Sequence, residues 1–282
     1  MTFTDLLIKK SEETRSIVCA GLDPILEKIP TKGEPEQKLT RFFLDILDAA
    51  VSQNATPAIV KPNIAFYEQY GFEGLRALKK IIPAYQEKGI PVILDAKRAD
   101  IGKTSAAYAK NLFSFWGADA ITVAPYMGQD SVSPFIEYTK KDKGVYILAR
   151  TSNKGAVDLQ DLKIGSTPLY MKTAQKITEW SENSGVGAVV GATYPKELEA
   201  ISKYFAGSKK QIPLLIPGVG AQGGSAKEVV EALKNTKNPL SLHRINSSSG
   251  IIYAYQKQDT DDYAGAAAKA IKHLNKEINF KN

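Results

Sequence analysis

The chain alternates. Short runs rich in β-branched residues recur eight times, at 17–22, 58–61, 91–94, 118–123, 145–149, 186–191, 212–216 and 240–245. Longer stretches with helical spacing separate them, at 35–51, 72–88, 104–116, 130–140, 167–183, 195–205 and 225–235, and a last helix is expected over 261–275. Runs that are apolar at nearly every position are buried on both faces, which predicts a parallel sheet with helices outside it. The 282 residues allow about 35 for each of eight strand–helix units, enough for each to be a compact βα pair. A doubly wound sheet is the competing topology. Eight units favour closure, which also removes the edge strands. No linker divides the chain, so the expectation is an α/β fold, one single-domain (β/α)8 TIM barrel over residues 1–282. The longest loop, 151–167, is expected to hold a short helical turn at 158–162 and to act as a lid.

Composition excludes several classes. Hydrophobic residues at 43% and charged residues at 24% are ordinary for a globular chain. No apolar run reaches the roughly 18 residues a membrane span needs. The opening MTFTDLLIKKSEETRS has no basic region before an apolar stretch and no small-residue cleavage site, which predicts a mature cytoplasmic start. A single cysteine, Cys19, excludes an internal disulfide and a cysteine-built metal site, and its apolar neighbours predict a buried thiol. The net charge of +7 suits an anionic small molecule as well as nucleic acid. The lysine pairs are scattered and lack interleaved aromatics, so no nucleic-acid partner is expected. His243 and His273, the only histidines, have no metal-spaced partner, so no metal site is expected. Trp116 and Trp180 are expected to pack in helices, and Tyr67, Tyr70 and Tyr126 to border the site or cover the barrel.

A barrel collects its chemistry at the C-terminal ends of its strands. The residues closing the runs are Asp23, Lys61 with Asn63, Asp95 with Lys97 and Asp100, Thr151 with Ser152, Pro217 to Gln222, and Asn246 to Ser249. Asp95 and Lys97 are two apart on an extended strand end, so both side chains are expected on one face, with Ala96 on the other. The bland account of such a D-x-K is a salt bridge that closes the strand. Here Asp23 and Lys61 are expected to converge on the same place. Alternating charges of this kind keep a lysine protonated in a partly dry site. A held ammonium is a general acid that can deliver a proton to carbon.

The second informative stretch is 217–224, P-G-V-G-A-Q-G-G. Four glycines between a strand and a helix let backbone N–H groups approach an anion. Barrels often bind phosphate after their seventh and eighth strands. The loop after the eighth run, Asn246-Ser247-Ser248-Ser249-Gly250, is again small and donor-rich.

The D-x-K-x-x-D-I run at 95–101 together with P-G-V-G-A-Q-G-G at 217–224 resembles the orotidine 5′-phosphate decarboxylases. Gly21-Leu22-Asp23-Pro24, Val60-Lys61-Pro62-Asn63, Arg150-Thr151-Ser152-Asn153 and the stretch 246–253 are similar to the longer bacterial-type branch. The resemblance implies a cofactor-free, metal-free (β/α)8 homodimer that converts orotidine 5′-phosphate to UMP and carbon dioxide. It implies that Lys97 protonates C6 of the pyrimidine and that Asp95 lies beside the substrate carboxylate. It implies that Asp100 enters the partner subunit's site with Ile101, and that Thr104 nears the partner's ribose. Asp23 and Lys61 match ribose-binding residues, Ser152 matches the serine that reads the pyrimidine, Gln222 matches the glutamine linking phosphate and base loops, and Pro217 lines the pocket. Ser249 and Gly250 fall in the phosphate loop.

One position departs from the family pattern. An arginine that grips the phosphate is expected after the eighth strand, and the aligned residue is Ser249. A hydroxyl and backbone N–H groups still bind phosphate, but the charged fork is gone. Losing such a contact costs about 2–5 kcal/mol, so weaker phosphate binding and a raised KM are expected. Arg244 lies in the eighth run and is not expected to reach. Two other functions fit parts of the pattern. One is an Mg²⁺-dependent sugar-phosphate decarboxylase or aldolase of the same structural group. The other is a non-catalytic nucleotide-binding barrel.

Overall fold

The computed structural model describes residues 1–220 and 223–280. Its first half runs α1 (Phe3–Thr14), β1 (Val18–Leu22), α2 (Pro35–Ser52), β2 (Ile59–Pro62), α3 (Ala65–Glu68), α4 (Gly71–Glu87), β3 (Ile93–Arg98), α5 (Gly102–Lys110), β4 (Ala120–Val123), α6 (Gln129–Ile136) and β5 (Gly144–Arg150). The second half runs β6 (Lys163–Ile164), β7 (Thr167–Pro168), α7 (Leu169–Trp180), β8 (Val186–Val190), α8 (Pro195–Gly207), β9 (Leu214–Ile216), α9 (Ala226–Asn235), β10 (Arg244–Ser247), α10 (Ser249–Ile252), α11 (Ala254–Gln258) and α12 (Tyr263–Ile278).

Eight strands lie parallel in the order β2-β1-β10-β9-β8-β5-β4-β3. The two ends of this sheet meet. Val60 bridges Val92, Asn63 bridges Asp95, and the Val60 N–H donates to the Pro91 carbonyl at 3.0 Å. The expected (β/α)8 barrel is therefore closed, with its helices outside. No described helix is long and apolar enough to cross a membrane.

Two apolar layers hold the barrel. The outer one lies between strands and helices. In α2, Leu39, Phe42, Phe43, Ile46 and Leu47 are buried at helical spacing, and each contributes about 1.5–3 kcal/mol by leaving water. The inner layer fills the barrel with Cys19, Ile59, Ile93, Ala120, Tyr146, Val189 and Leu215. Phe3 and Leu7 of α1 join this inner cluster. Helix α1 thus plugs the N-terminal end of the barrel. Gly144 permits this, because a Cβ there would collide with the Phe3 ring.

Several local expectations are corrected. The first residues form α1, begun by a capping box in which Thr2 and Asp5 satisfy each other's N–H groups. The run at 240–245 is only half strand. Leu240–Leu242 is a 3-10 turn after Pro239, and strand pairing starts where Arg244 meets Leu215, so His243 precedes β10. The helix expected over 104–116 ends in a wide turn at Asn111–Phe115. The Trp116 N–H reaches back five residues to Asn111, which buries both Phe113 and Trp116. In the 151–167 loop the helical turn falls at Lys154–Asp158, not 158–162, and the β6–β7 hairpin follows.

Candidate active site

The C-terminal mouth of the barrel holds a cavity of about 460 Å³. Asp23, Lys61, Asp95, Lys97, Ser152, Pro217 and Ser249 all line it, so residues from six strand ends converge as the sequence predicts. Asp95 is the hub. Its Oδ2 accepts from Lys61 Nζ at 2.9 Å, and its Oδ1 accepts from Lys97 Nζ at 2.7 Å. Thr122, on the neighbouring strand β4, donates its hydroxyl to the same Oδ1 at 2.7 Å. Asp23 holds the other side of the mouth, accepting from the Asn63 N–H at 3.2 Å and from the Ser248 hydroxyl.

Burial alone would raise the Asp95 carboxyl, but the Lys61 and Lys97 ammonium groups overcome it and hold Asp95 below the usual carboxylate range. Burial would likewise lower Lys61. The Asp95 and Asp23 carboxylates outweigh it and push Lys61 above the ordinary lysine value. Both groups are therefore charged at neutral pH. The two lysines differ in access. The Lys61 side chain is 5% exposed, whereas that of Lys97 is 46% exposed and opens to the cavity.

The backbone at Lys97 corrects the extended strand end expected there. Lys97 has φ 45°, a left-handed conformation rare for a side-chain-bearing residue. The β3–β4 register shifts between Leu94 and Arg98. The shift lets the Lys97 N–H donate to Thr122 Oγ1 at 3.0 Å. Thr122 thus fixes both partners of the D-x-K, through its hydroxyl proton and its oxygen. Sequence reasoning missed it. The available signal was a threonine among apolar residues two before Ala124, at an inward position of the fourth run.

Asp100, Ile101 and Thr104 do not line this chain's own cavity. Asp100 Oδ1 accepts from the Ile101 N–H at 2.8 Å, and Ile101 is 59% exposed on the rim. The charge array within one chain is therefore Asp23, Lys61, Asp95 and Lys97, without Asp100. Ser249 begins α10 at the cavity edge, and Gly250, the next residue, does not line it. The glycine-rich loop folds on itself. The N–H groups of Gly220, Gly223 and Gly224 donate to carbonyls of Gly224, Gly220 and Gly218, leaving fewer free donors than the glycine count suggests. Gln222 lies outside the described residues.

The remaining candidates have structural places. Arg244 is buried at the opposite end, where its guanidinium donates to carbonyls of Ser241, His243 and Leu7. Burial lowers it to about 10. His243 Nδ1 accepts from the Leu214 N–H at 3.0 Å. Cys19 is buried, and its thiol is pushed up to about 12 by that burial. Tyr67 donates to the Leu22 carbonyl at 3.0 Å inside the wall, Tyr70 accepts from the Leu26 N–H, and Tyr126 is 86% exposed. Among the described residues no cluster of three His, Cys, Asp or Glu side chains has metal-holding geometry.

A closed parallel barrel with alternating carboxylates and ammonium groups in its C-terminal mouth defines a (β/α)8 barrel enzyme. The family model described as "Orotidine 5'-phosphate decarboxylase / HUMPS family" matches residues 16–260. The chain belongs to that family. It is 42% identical to orotidine 5′-phosphate decarboxylase of Halorubrum lacusprofundi, over 99% of this chain and 99% of that one. It is 44% identical to the protein of the same name from Christiangramia forsetii, over 96% of this chain and 94% of the relative. The solved structure of Leishmania donovani OMP decarboxylase superposes with a TM-score of 0.78 at 35% identity, covering 99% of both chains. Leishmania donovani UMP synthase superposes with a TM-score of 0.79 at 37% identity, and there this chain spans 56% of the longer one.

Proposed function

We propose that this chain is a carboxy-lyase that decarboxylates orotidine 5′-phosphate to UMP and carbon dioxide, the last step of de novo pyrimidine nucleotide synthesis, with Lys97 as proton donor. One observation carries the assignment of roles. Two ammonium groups flank Asp95 in the cavity wall, and that of Lys97 is far the more exposed, its side chain 46% accessible against 5% for Lys61. Lys61 is the buried counter-charge, and Lys97 is the acid within reach of a ligand.

The bond from C6 to the carboxylate breaks, and carbon dioxide leaves. The electron pair stays on C6 as an sp² carbanion with little resonance help. The ammonium of Lys97 stabilises that charge as it develops, because a fixed cation in a water-poor site needs no reorganisation. It then transfers its proton to C6, giving UMP and a neutral amine that solvent reprotonates. Asp95 keeps the amine aimed at the cavity, and Lys61 keeps Asp95 ionised. Asp23 is assigned to the ribose, Ser152 to the pyrimidine, Pro217 to the pocket wall, and Ser249 with its loop to the phosphate. Binding energy from the remote phosphate supports the chemical step.

The site is completed by a second copy of the chain. Ile101 and Thr104 are exposed and Asp100 is half-buried, and none of the three lines its own cavity. Tyr126 and Met127, in the loop after the adjacent strand β4, are exposed on the same end of the barrel. Together these support a homodimer in which Asp100 and Ile101 enter the partner's site. The whole chain, 1–282, acts as one catalytic domain in the cytoplasm under the same proposal.

The test is the loss of orotidine 5′-phosphate absorbance in excess EDTA. Turnover at the untreated rate is expected. Turnover that returns only with Mg²⁺ would indicate the metal-dependent alternative, and UMP binding without turnover the non-catalytic barrel.

A further inference from the structure

Arg150, the last residue of β5, is fully buried at the edge of the mouth. Its guanidinium lies 3.9 Å from the centroid of the Tyr194 ring, a stacked cation–π arrangement. Arg150 Nε pairs with Asp161 Oδ1 at 3.2 Å, and Nη2 donates to Asp161 Oδ2 at 3.4 Å. Nη1 donates to the Thr151 carbonyl at 3.3 Å and to Gln160 Oε1 at 3.4 Å. A desolvated guanidinium held by so many partners is a rigid anchor.

Gln160 carries that rigidity back to the cavity. Its Oε1 accepts from the Thr151 N–H at 2.8 Å, and its Nε2 donates to Thr151 Oγ1 at 2.7 Å. Two donors converge on Oε1, which sets the orientation of the amide. Thr151 Oγ1 donates onward to Asn153 Oδ1 at 2.7 Å. Between them, the Ser152 carbonyl accepts from the Thr193 hydroxyl at 3.0 Å. Gly191 permits this approach, since a Cβ there would lie 2.7 Å from Ser152 Cα. Gln160 is fixed in turn by its own backbone, whose carbonyl accepts from the Tyr170 N–H at 2.9 Å. Thr151, Ser152 and Asn153 all line the cavity, whereas Gln160 does not.

We infer that Gln160, clamped by Arg150 and Asp161, is a positioning residue that sets the Thr151–Ser152–Asn153 rim for recognition of the pyrimidine ring. The inference rests on the functional proposal above, which assigns Ser152 to that ring. One side-chain amide restrains both a backbone N–H and a hydroxyl of the residue preceding Ser152. Removing it frees the rim without removing any group that touches the ligand, so orientation is lost and chemistry is not.

The experiment compares the dissociation constants of UMP and ribose 5-phosphate in the wild type, Gln160→Ala and Gln160→Glu, alongside orotidine 5′-phosphate turnover. Ribose 5-phosphate has everything in UMP except the base. Gln160→Ala is expected to weaken UMP about tenfold, the worth of one to two hydrogen bonds, and to leave ribose 5-phosphate unchanged. KM is expected to rise with kcat changed less. Gln160→Glu keeps the acceptor for the Thr151 N–H and loses the donor to Oγ1, so a smaller loss of UMP is expected; it serves alone if Gln160→Ala does not fold. Equal weakening of both ligands would mark a merely structural role and overturn the inference, as would no change in either. A wild-type chain that does not turn over orotidine 5′-phosphate would instead remove the functional proposal, and this inference with it.

Discussion

Asp95 and Lys97 sit two residues apart on β3, and their side chains meet at 2.7 Å although the Lys97 backbone is left-handed. An extended strand would also put both side chains on one face. The left-handed turn instead brings the Lys97 N–H onto Thr122, which also holds Asp95. Strain of this kind persists only where surrounding contacts over-determine it. Thr122 is that contact.

Thr122→Val removes a donor to Asp95 and the acceptor for a strained N–H while keeping the side chain's shape. A loss of about 1–3 kcal/mol of stability is expected from the unpaired groups. The kcat for orotidine 5′-phosphate is expected to fall at least about tenfold as Lys97 loses its fixed aim. Denaturant unfolding and steady-state kinetics check both, and an unchanged kcat would show that Thr122 does not hold the lysine.

A shared site predicts complementation. Lys97→Ala and Asp100→Ala are each expected to be nearly inactive alone. Mixed dimers pair a damaged site carrying both changes with one carrying neither. Activity is expected to recover toward half of the wild-type value per mixed dimer. Verified heterodimers that stay inactive would argue against Asp100 acting in the partner's site.

The proposed function assigns Ser249, an uncharged residue, to the phosphate. Among the described residues lining the cavity, the cations are Lys61 and Lys97, both committed to Asp95. Ser249→Arg is expected to lower KM for orotidine 5′-phosphate by about tenfold or more, since a charge-paired phosphate contact is worth several kcal/mol. An unchanged kcat/KM would show that phosphate binding here does not depend on that position.

His243 predicts a pH dependence of stability. Burial lowers its pKa from 6.5 to about 3 in the fold. The unfolded chain takes up a proton below 6.5 while the folded chain does not, so stability falls as pH falls through this window. The loss is about 2 kcal/mol between about pH 7.5 and pH 5. The lowered carboxylates, Asp95 among them, act only below about pH 5, because their stabilisation is complete well above the unfolded carboxylate value. His243→Gln retains an acceptor for the Leu214 N–H and is expected to flatten the slope. An equal slope in the variant would place its source elsewhere.

The barrel was legible because its strands are buried on both faces and so read as continuous apolar runs. Where a run did not pair, as at Leu240–Leu242, apolarity alone could not separate a strand from a 3-10 turn. Helix α1 was legible only through Thr2 and Asp5, three apart, a pattern too short to outweigh its charged surroundings. Lys61, Asp95 and Lys97 could be placed together because strand ends converge in a closed sheet. Thr122 could not, since its role depends on a register shift between neighbouring strands that no local pattern encodes. Asp100 was visible as a charge, but whether it faces its own cavity is set by the direction of the turn after Arg98. Gln160 reaches Thr151 across nine residues because the loop folds back on the end of β5, a path that no local pattern encodes.

The central proposal is that the Lys97 ammonium supplies the proton to C6. Its most direct test is the single-turnover decarboxylation rate of Lys97→Ala, measured beside the UMP dissociation constant of the same protein. Loss of measurable decarboxylation with UMP still bound is predicted. Decarboxylation near the wild-type rate in a variant that binds UMP would contradict it.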